Sequence, residues 1–315
     1  MNISILGAGA MGSLFGGLLA EDGQSVTLID INDAHLAAIR DRGLRLDTDQ
    51  GDRHINAMTV CRPEHATRQP DLLIVFTKTL HTAAALEGVR SLIGPHTHVL
   101  SLQNGLGNVE ALSQFVQRER IMIGVTTWPA DLVGPGHVRS HGQGAIRMMS
   151  ADGNQSVSVT KAAAALSSAG LRCEADPTVW SAIWEKVAFN AALNSLCAVS
   201  ECTVDQLGMV KDGQDLAFAI VFEVIEVARA NGVDADAKKC EANVLHAIAK
   251  HVGHKPSMLQ DILAGRRTEV ESINGAVVSK AEAMGLAVPY TQTLLGLVRL
   301  KEQQIAAARR VAESR

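Results

Sequence analysis

A glycine-rich run near the start of this chain has the spacing of a phosphate-binding loop. It reads Gly7-Ala-Gly9-Ala10-Met11-Gly12, which is the pattern G-x-G-x-x-G. In dinucleotide sites the first glycine allows a tight turn, the second lets a pyrophosphate approach the backbone, and the third lets the following helix pack closely. The free N–H groups and the positive dipole end of that helix attract the anion. The spacing therefore predicts a pyrophosphate-binding loop over residues 7–12.

A second group of polar residues lies on the long apolar segment 178–200. Lys186, Asn190 and Asn194 recur at i, i+4 and i+8, so they share one face of a predicted helix. A lysine and two asparagines on a buried helix are costly unless they have hydrogen-bonding partners. A polar ligand would supply such partners. Two alternatives stay open: the residues bond to another helix, or Lys186 reaches solvent along its aliphatic stem.

Three further polar residues follow predicted strands. Asp30 ends the strand over 25–29, where an acidic residue binds the ribose hydroxyls of an adenosine. Because its carboxylate repels a 2′-phosphate, Asp30 favours NAD(H), while NADP(H) is not excluded. Lys78 and Asn104 follow later strands, and ligands of open α/β sheets bind outside those carboxyl ends. The alternatives are a turn cap for Asp30, a solvated turn lysine for Lys78 and an Asn-Gly turn residue for Asn104.

The elements that position these residues alternate between strands and helices in the first half of the chain. This alternation predicts an α/β fold with a doubly wound parallel sheet. Polar residues 47–52 separate Leu44–Leu46 from Arg53–Val60 and predict a hairpin. Helices are expected over residues 33–42, from 79 to about 92 and from 108 to about 117. Strands are expected over 2–6, 25–29, 71–76, 97–102 and 121–127, with further strands in 131–150 and 171–175 and a helix near 155–169.

The second half of the chain predicts helices only. They are expected over 178–200, 215–231, 236–251, 256–264, 268–284 and 290–313. We therefore predict a dinucleotide-binding Rossmann domain over residues 1–176, an all-helical substrate domain over 177–315, and a cleft between them.

The composition excludes several classes of protein. A net charge of −4 gives no electrostatic case for nucleic acid or an anionic membrane as partner. The N-terminus lacks the basic segment of a signal peptide, and no apolar run is long enough for a membrane span. The five cysteines are odd in number and contain no C-x-x-C pair, which is typical of reduced thiols in a cytoplasmic protein. His246, His251 and His254 match no metal-binding spacing, so no metal is expected.

Residues 255–269 contain two more candidates for chemistry. Ser257 follows Pro256, which suits the first turn of a helix, and its hydroxyl could satisfy a free N–H there. Glu269 falls in the first turn of the next predicted helix, where the dipole favours an acid. Thr268 and Glu271 have the spacing of a capping box. Ser257 and Glu269 therefore have structural as well as functional interpretations.

The sequence resembles the ketopantoate reductase (2-dehydropantoate 2-reductase) family over essentially its whole length. The matching pieces, in chain order, are Gly7-Ala-Gly-Ala-Met-Gly12, Lys78, Leu102-Gln-Asn-Gly105, Trp184-Glu-Lys186 with Asn190 and Asn194, Ser257-Met-Leu-Gln-Asp261, and Thr268-Glu-Val-Glu-Ser-Ile-Asn-Gly275. The resemblance implies a Rossmann domain followed by a helical domain of the 6-phosphogluconate-dehydrogenase type. It also implies reversible hydride transfer between a nicotinamide cofactor and a 2-oxo acid.

The resemblance also assigns expected roles to individual residues. Lys186 takes the place of the family's catalytic lysine, whose ammonium polarises the 2-oxo group and protonates the developing alkoxide. Glu269 would engage the nascent hydroxyl or hold Lys186, and Ser257 would bind the substrate carboxylate. The remaining expected contacts are Asn104, Asn190 and Asn194 to the substrate, Asn104 also to the cofactor, and Lys78 near the nicotinamide and the substrate.

Three departures from the family pattern bear on the cofactor and the substrate. NADP-dependent members carry an arginine just past the second strand, where this chain has Asp30-Ile31. His254 and Thr291 stand where the family often has asparagine. We therefore expect a reductase of ketopantoate or a related 2-oxo acid. An NAD-dependent D-2-hydroxyacid (D-mandelate-type) dehydrogenase and a non-catalytic NAD(P)-binding sensor are the alternatives, and a homodimer is compatible with the long helical domain.

Overall fold

The structure of this protein is a computed structural model that describes residues 1–313. The chain forms two compact units. The first unit comprises Met1–Gln103 and Asn108–Val179. The second comprises Asn104–Gly107 and the described residues from Trp180 onward.

The first unit contains two β-sheets and five helices. The strands are β1 (Asn2–Leu6), β2 (Ser25–Ile29), β3 (Leu44–Thr48), β4 (Gly51–Ile55), β5 (Met58–Cys61), β6 (Leu72–Val75), β7 (His98–Ser101), β8 (Ile121–Thr126), β9 (Asp131–Gly134), β10 (His137–Ser140), β11 (Ile146–Ser150) and β12 (Cys173–Ala175). The helices are α1 (Ala10–Glu21), α2 (Asp33–Arg42), α3 (Thr82–Gly88), α4 (Asn108–Leu112) and α5 (Val157–Ser168).

The larger sheet has the strand order β12-β11-β8-β7-β6-β1-β2-β5. Six consecutive strands, from β8 to β5, run parallel, and β11 runs antiparallel to β8. The central strands are almost wholly apolar and fully buried, as expected for strands covered on both faces. The predicted doubly wound parallel sheet is therefore confirmed.

The order of the strands brings three chain segments together at the carboxyl ends of neighbouring strands. Strand β1 lies between β2 and β6, and Leu6 is in register with Ile29 and with Val75. The residues that follow these strands therefore leave the sheet side by side. These residues are the glycine loop, Asp30 and the segment that leads to Lys78. They lie at the carboxyl ends of the strands, where ligands of such sheets bind.

The predicted hairpin is only partly correct. Strands β3 and β4 pair antiparallel in a second, four-stranded sheet, of order β4-β3-β10-β9. The expected second arm over Arg53–Val60 is wrong, because the chain turns at Asn56 and Met58 begins β5, the edge strand of the larger sheet. The helices expected to reach residues 92 and 117 are also wrong in length. Helix α3 ends at Gly88 before a 3₁₀ turn, and α4 ends at Leu112.

The second unit is helical, as predicted. Its helices are α6 (Val179–Ser200), α7 (Val204–Gly208), α8 (Lys211–Ala230), α9 (Ala237–Lys250), α10 (Ser257–Leu263), α11 (Ala276–Ala283) and α12 (Pro289–Glu313). Helix α7 was not expected from the sequence, although Thr203 and Gln206 form a capping box at its start. In the part of the chain that the structure describes, no helix combines the length and apolar character of a membrane span.

The helix expected over 268–284 begins differently from the prediction. A π-helical turn over Glu271–Gly275 precedes α11, with Gly275 N–H donating to the Val270 carbonyl at 2.9 Å. The predicted capping box at Thr268 is wrong, because the Thr268 N–H donates to Glu302 at 2.7 Å. Glu271 instead forms an ion pair with Arg299, which holds the pKa of Glu271 below its usual value. Such π-helical turns often lie beside functional sites.

Candidate active site

The glycine loop folds as a tight turn between β1 and α1. Gly7 has φ +96°, a conformation that side chains rarely adopt, and its N–H donates to the Ile29 carbonyl at 2.9 Å. A Cβ on Gly12 would overlap the Gly7 carbonyl oxygen, whereas a Cβ on Gly9 would meet no protein atom within 4 Å. Gly12 is therefore required by the protein itself, while Gly9 leaves open space in front of the backbone.

The start of α1 presents the backbone N–H groups expected of an anion site. The first helical hydrogen bond runs from Ser13 N–H to the Gly9 carbonyl, at 2.9 Å. Ala10, Met11 and Gly12 precede it, in the first turn, where N–H groups have no intrahelical acceptor. Gly9 is exposed and Ala10 and Met11 are half-buried, so this turn is open to a ligand.

Asp30 is tied to the backbone around it. Its carboxylate accepts N–H groups from Ala8 at 2.6 Å, Ile31 at 2.7 Å and Asn32 at 2.9 Å. The turn-capping alternative for Asp30 is thus present, together with a bond to the glycine loop that the sequence did not suggest. A carboxylate can accept about four hydrogen bonds, so a ribose contact stays a prediction.

Lys78 is half-buried in the turn that follows β6. The turn is held by Gln103, which the sequence analysis did not single out. The Gln103 side-chain amide donates to the Thr77 carbonyl at 2.6 Å and to Thr82 Oγ1 at 2.7 Å, and its oxygen accepts from Ser101 at 2.9 Å. Its place just after β7 was the one available indication. Gln103 therefore fixes the segment that carries Lys78.

Lys186 and Glu269 form the charged part of the second unit's candidate site. Lys186 lies on α6, and burial lowers the pKa of its ammonium from 10.5 to about 8. The negative charge of Glu269 acts on Lys186 and opposes this effect. A lysine with a pKa near 8 can donate a proton as the ammonium and accept one as the neutral amine close to neutral pH.

Asn190 and Asn194 lie on α6 one and two turns beyond Lys186. Each side chain is only 7% exposed. Among the described residues, no group forms a hydrogen bond with either side-chain amide. The alternative in which this stripe bonds to another part of the fold applies at least to Lys186, on which Glu269, outside α6, acts. Neither amide is among the described polar atoms that are fully buried without a partner, so both keep some access to solvent or to a ligand.

Asn104 is held beside Glu269. Its side-chain amide donates to the Glu269 carboxylate at 3.3 Å, and the next two residues pack on the π-helical turn. Gly105 has φ +85°, and a Cβ there would overlap the Ser272 carbonyl oxygen, which also accepts the Leu106 N–H at 2.8 Å. The Asn-Gly pair is thus a turn, as the alternative proposed, and it also places the Asn104 amide on an acidic side chain.

Ser257 begins α10, and its side chain is exposed. It is the first residue of the helix, after the N-cap residue Pro256, which provides no side-chain cap. The structure brings α10 to α6 through a buried network that the sequence analysis missed. Ser195 donates to Asn274 at 2.7 Å and contacts the sulfur of Met258, and Asn274 donates to the Ala191 carbonyl at 3.1 Å.

Two of the departures from the family pattern lie in different surroundings. Thr291 is fully buried, and its hydroxyl and N–H both donate to Glu223, at 2.7 and 2.8 Å. Glu223 also accepts the Tyr290 N–H at 2.9 Å. Its carboxylate thus accepts backbone N–H groups in the first turn of α12. His254 is exposed, in the loop before α10. Thr291 therefore has a structural explanation, and the ring of His254 packs edge-to-face on that of His251, with the centroids 5.6 Å apart.

Comparison with known proteins gives matches over nearly the whole chain. The family model for ketopantoate reductase PanE/ApbA matches residues 3–153, and the model for the C-terminal part of the same family matches residues 178–302. The 2-dehydropantoate 2-reductase of Streptococcus pyogenes serotype M18 is 35% identical over 303 residues, which cover 96% of this chain and 98% of that protein.

Solved structures also match this protein over nearly the whole chain. A ternary structure of D-mandelate dehydrogenase with NADH and anilino(oxo)acetate is 33% identical, with a TM-score of 0.93, and covers 97% of this chain and all of that one. The 2-dehydropantoate 2-reductase of Geobacter metallireducens is 30% identical, with a TM-score of 0.90, over 95% of this chain and 99% of that one.

Proposed function

This chain belongs to the ketopantoate reductase family of oxidoreductases, and we propose that it reduces 2-dehydropantoate, or a closely related 2-oxo acid, with a nicotinamide cofactor. One observation supports this proposal above the others. Lys186 has a pKa of about 8 and shares a helix face with Asn190 and Asn194, whose nearly buried amides have no hydrogen-bonding partner among the residues that the structure describes. That face offers a proton donor and hydrogen-bonding groups to a small oxygen-rich molecule.

The first unit fits a dinucleotide. The open space at Gly9, the N–H groups at the start of α1 and the close approach at Gly12 meet the needs of a pyrophosphate. We propose that Gly7, Gly9 and the residues of the first helical turn hold the phosphates, with Asp30 on the ribose and Lys78 near the nicotinamide. The bound cofactor supplies the hydride in reduction.

Lys186 acts on the oxygen of the 2-oxo group. As negative charge develops on that oxygen, the ammonium donates a hydrogen bond and then its proton, so the alkoxide is never left uncompensated. In the reverse direction the neutral amine accepts the proton of the hydroxyl. Glu269, whose charge acts on Lys186, favours the ammonium form and engages the new hydroxyl.

The remaining residues orient the substrate. Asn190 and Asn194 supply amides that have no protein partner among the described residues, and Asn104 adds an amide that Glu269 holds in place. Ser257 has an exposed hydroxyl at the start of α10, suited to the substrate carboxylate. Because these groups bind rather than transfer protons, their loss should raise KM more than it lowers kcat.

The pH dependence of the two directions follows from the state of Lys186. Its pKa is about 8, and the ammonium is the acid in reduction. We expect kcat/KM for reduction to fall as pH rises through about 8, and kcat/KM for oxidation to rise over the same interval. Initial rates in both directions across this range measure it. Two profiles that change in the same sense would contradict the role of Lys186 as acid and base.

The choice between NAD(H) and NADP(H) is proposed to depend on the charge of Asp30. Asp30→Asn should raise the preference for NADPH relative to NADH about tenfold, since it removes a charge that repels the 2′-phosphate. Asparagine is chosen because Asp30 also binds the Ala8 N–H, and alanine would loosen the glycine loop as well. The ratio of kcat/KM for the two cofactors is the measurement. An unchanged ratio would remove Asp30 from cofactor selection.

A D-2-hydroxyacid dehydrogenase is the second candidate. Two observations favour it: the resemblance to D-mandelate dehydrogenase in complex with NADH, and Asp30-Ile31 in place of the arginine of NADP-dependent members. This candidate has the same reaction and site residues but a bulkier substrate side chain.

A panel of substrates separates the two candidates. Initial rates with NADH and with NADPH are measured on 2-dehydropantoate beside branched and aromatic 2-oxo acids. We expect the highest kcat/KM with 2-dehydropantoate and NADH. Preference for an aromatic 2-oxo acid would support the dehydrogenase instead. Binding of NADH without turnover of any 2-oxo acid would leave the non-catalytic nucleotide-binding protein as the remaining interpretation.

A further inference from the structure

We infer that Ser13 and His35 are positioning residues for the cofactor, which fix the glycine loop through a buried chain of hydrogen bonds. This inference rests on the proposed binding of a nicotinamide dinucleotide by the first unit. Neither residue belongs to the G-x-G-x-x-G pattern, and neither is expected to touch the cofactor.

The chain of hydrogen bonds links four segments of the first unit. Ser13 Oγ, in the first turn of α1, donates to the Ala8 carbonyl at 2.8 Å. The same hydroxyl lies 2.9 Å from Nε2 of His35, on α2. The Gly136 N–H, in the turn between β9 and β10, donates to Nδ1 of His35 at 3.0 Å. The chain therefore runs from a turn of the smaller sheet, through His35 and Ser13, to the glycine loop.

The direction of each hydrogen bond fixes the protonation of His35. Nδ1 accepts the Gly136 N–H, so it carries no proton, and in the neutral ring the proton is on Nε2. Nε2–H then donates to Ser13 Oγ, whose own proton is committed to the Ala8 carbonyl. Every donor and acceptor in the chain is satisfied only when the imidazole is neutral.

Ala8 is the point at which this chain controls the loop. It lies between Gly7 and Gly9, and its N–H donates to Asp30 at 2.6 Å while its carbonyl accepts from Ser13. Both of its hydrogen-bonding groups are thus held, from two sides. Glycine peptides on either side have broad conformational freedom. Without Ser13 the Ala8 carbonyl therefore loses its hydrogen-bond donor, and the Gly9 backbone is no longer fixed for a phosphate.

The surroundings keep His35 neutral. Its side chain is 1% exposed, and that of Ser13 is fully buried. Burial lowers the pKa of His35, and the negative charge of Asp30 opposes this shift. Of the groups that face the ring, α1 offers the Ser13 hydroxyl and the turn offers the Gly136 N–H, both neutral. Protonation would place an N–H on Nδ1 against the N–H of Gly136 and break the chain.

Ser13→Ala and His35→Gln test the inference by equilibrium binding of NADH at pH 8. Loss of a buried hydrogen bond predicts a rise in Kd of about five- to tenfold for Ser13→Ala. His35→Gln retains an amide donor for Ser13 and should give a smaller rise. The control is Ser150→Ala, which removes a buried hydroxyl of the same unit that bonds to Asp152 and Asn154. Its Kd should equal that of the unchanged protein.

The pH profile separates positioning from general stabilisation. The Kd of the unchanged protein should rise as pH falls below the ordinary pKa of histidine, and the rise should be weaker in His35→Gln, which cannot titrate. An unchanged Kd in folded Ser13→Ala, or a pH profile that His35→Gln leaves intact, would overturn the inference.

Amide hydrogen exchange of the ligand-free protein decides the case independently of the cofactor. Exchange over residues 7–12 should be faster in Ser13→Ala than in Ser150→Ala, at matched temperature below unfolding. Equal exchange in the two variants would overturn the inference. If the unchanged protein binds no NADH, the proposed function fails, while the exchange result still decides whether Ser13 and His35 fix the loop.

Discussion

Replacing Lys186 with alanine is expected to lower kcat for reduction of the 2-oxo acid by about 10³-fold or more. The ammonium is the group that meets the charge developing on the substrate oxygen, so its effect is realised in the transition state. The Kd of NADH should change little, since the residues proposed to bind it belong to the first unit. Steady-state kinetics and a binding titration on the same preparation measure both quantities.

Two further variants show which property of Lys186 matters. Lys186→Arg keeps a positive charge but cannot give up its proton near neutral pH, so it should also lose most of kcat. Lys239→Met is the control, because Lys239 bonds to Glu185, the neighbour of Lys186 on α6, and is not assigned to the site. A kcat within tenfold of normal in Lys186→Ala would end its assignment as the acid.

Replacing Gly9 and Gly12 with alanine is expected to give two different losses. Gly12→Ala should destabilise the fold by about 3 kcal/mol, because its Cβ overlaps the Gly7 carbonyl and the backbone must move. Gly9→Ala should change the free energy of unfolding by less than about 1 kcal/mol, since no protein atom lies within 4 Å of its Cβ. Its Kd for NADH should nevertheless rise by about 10²-fold, because the Cβ occupies the space proposed for a phosphate.

Thermal or denaturant unfolding and NADH binding are measured on both variants. Gly134→Ala is the control, because its Cβ also meets no protein atom and it lies outside the glycine loop. Both quantities should be unchanged there. Normal NADH affinity in Gly9→Ala would contradict a phosphate site at this loop.

The sequence could predict the features that depend on local pattern. The glycine spacing identified the turn after β1, and the apolar run that became β6 identified a strand buried on both faces. The spacing of Lys186, Asn190 and Asn194 identified one face of α6. In each case the periodicity of a single element carries the information.

The partners that hold these elements could not be predicted, because they are distant in the sequence. Ser13 meets His35 and Gly136 only after α1, α2 and the smaller sheet have packed. Asn274 reaches Ser195 and the Ala191 carbonyl across about 80 residues. No rule of sequence spacing predicts that such residues will be in contact, and each of them is an ordinary polar residue for a helix or a turn.

Errors in the elements arose where long-range packing overrode a local preference. Met58 begins a new strand because it pairs with β2 in the larger sheet, which the local hairpin pattern did not show. Thr268 and Glu271 have capping-box spacing but do not bind each other. Thr268 donates to Glu302 and Glu271 pairs with Arg299. The long helix α12 supplies both partners, and the chain enters α11 through a π-helical turn instead.

Isotopic labelling follows the transferred hydride itself and tests the proposed reaction most directly. NADH that carries deuterium at the transferred position of nicotinamide C4 is incubated with 2-dehydropantoate and the protein, and the product is analysed by mass spectrometry. At a fixed time within the initial-rate period, we predict one deuterium at C2 of the 2-hydroxy acid with the unchanged protein, and about 10³-fold less labelled product with Lys186→Ala. Oxidation of NADH without deuterium in the product, or an equal amount of labelled product from Lys186→Ala, would rule out hydride transfer assisted by Lys186.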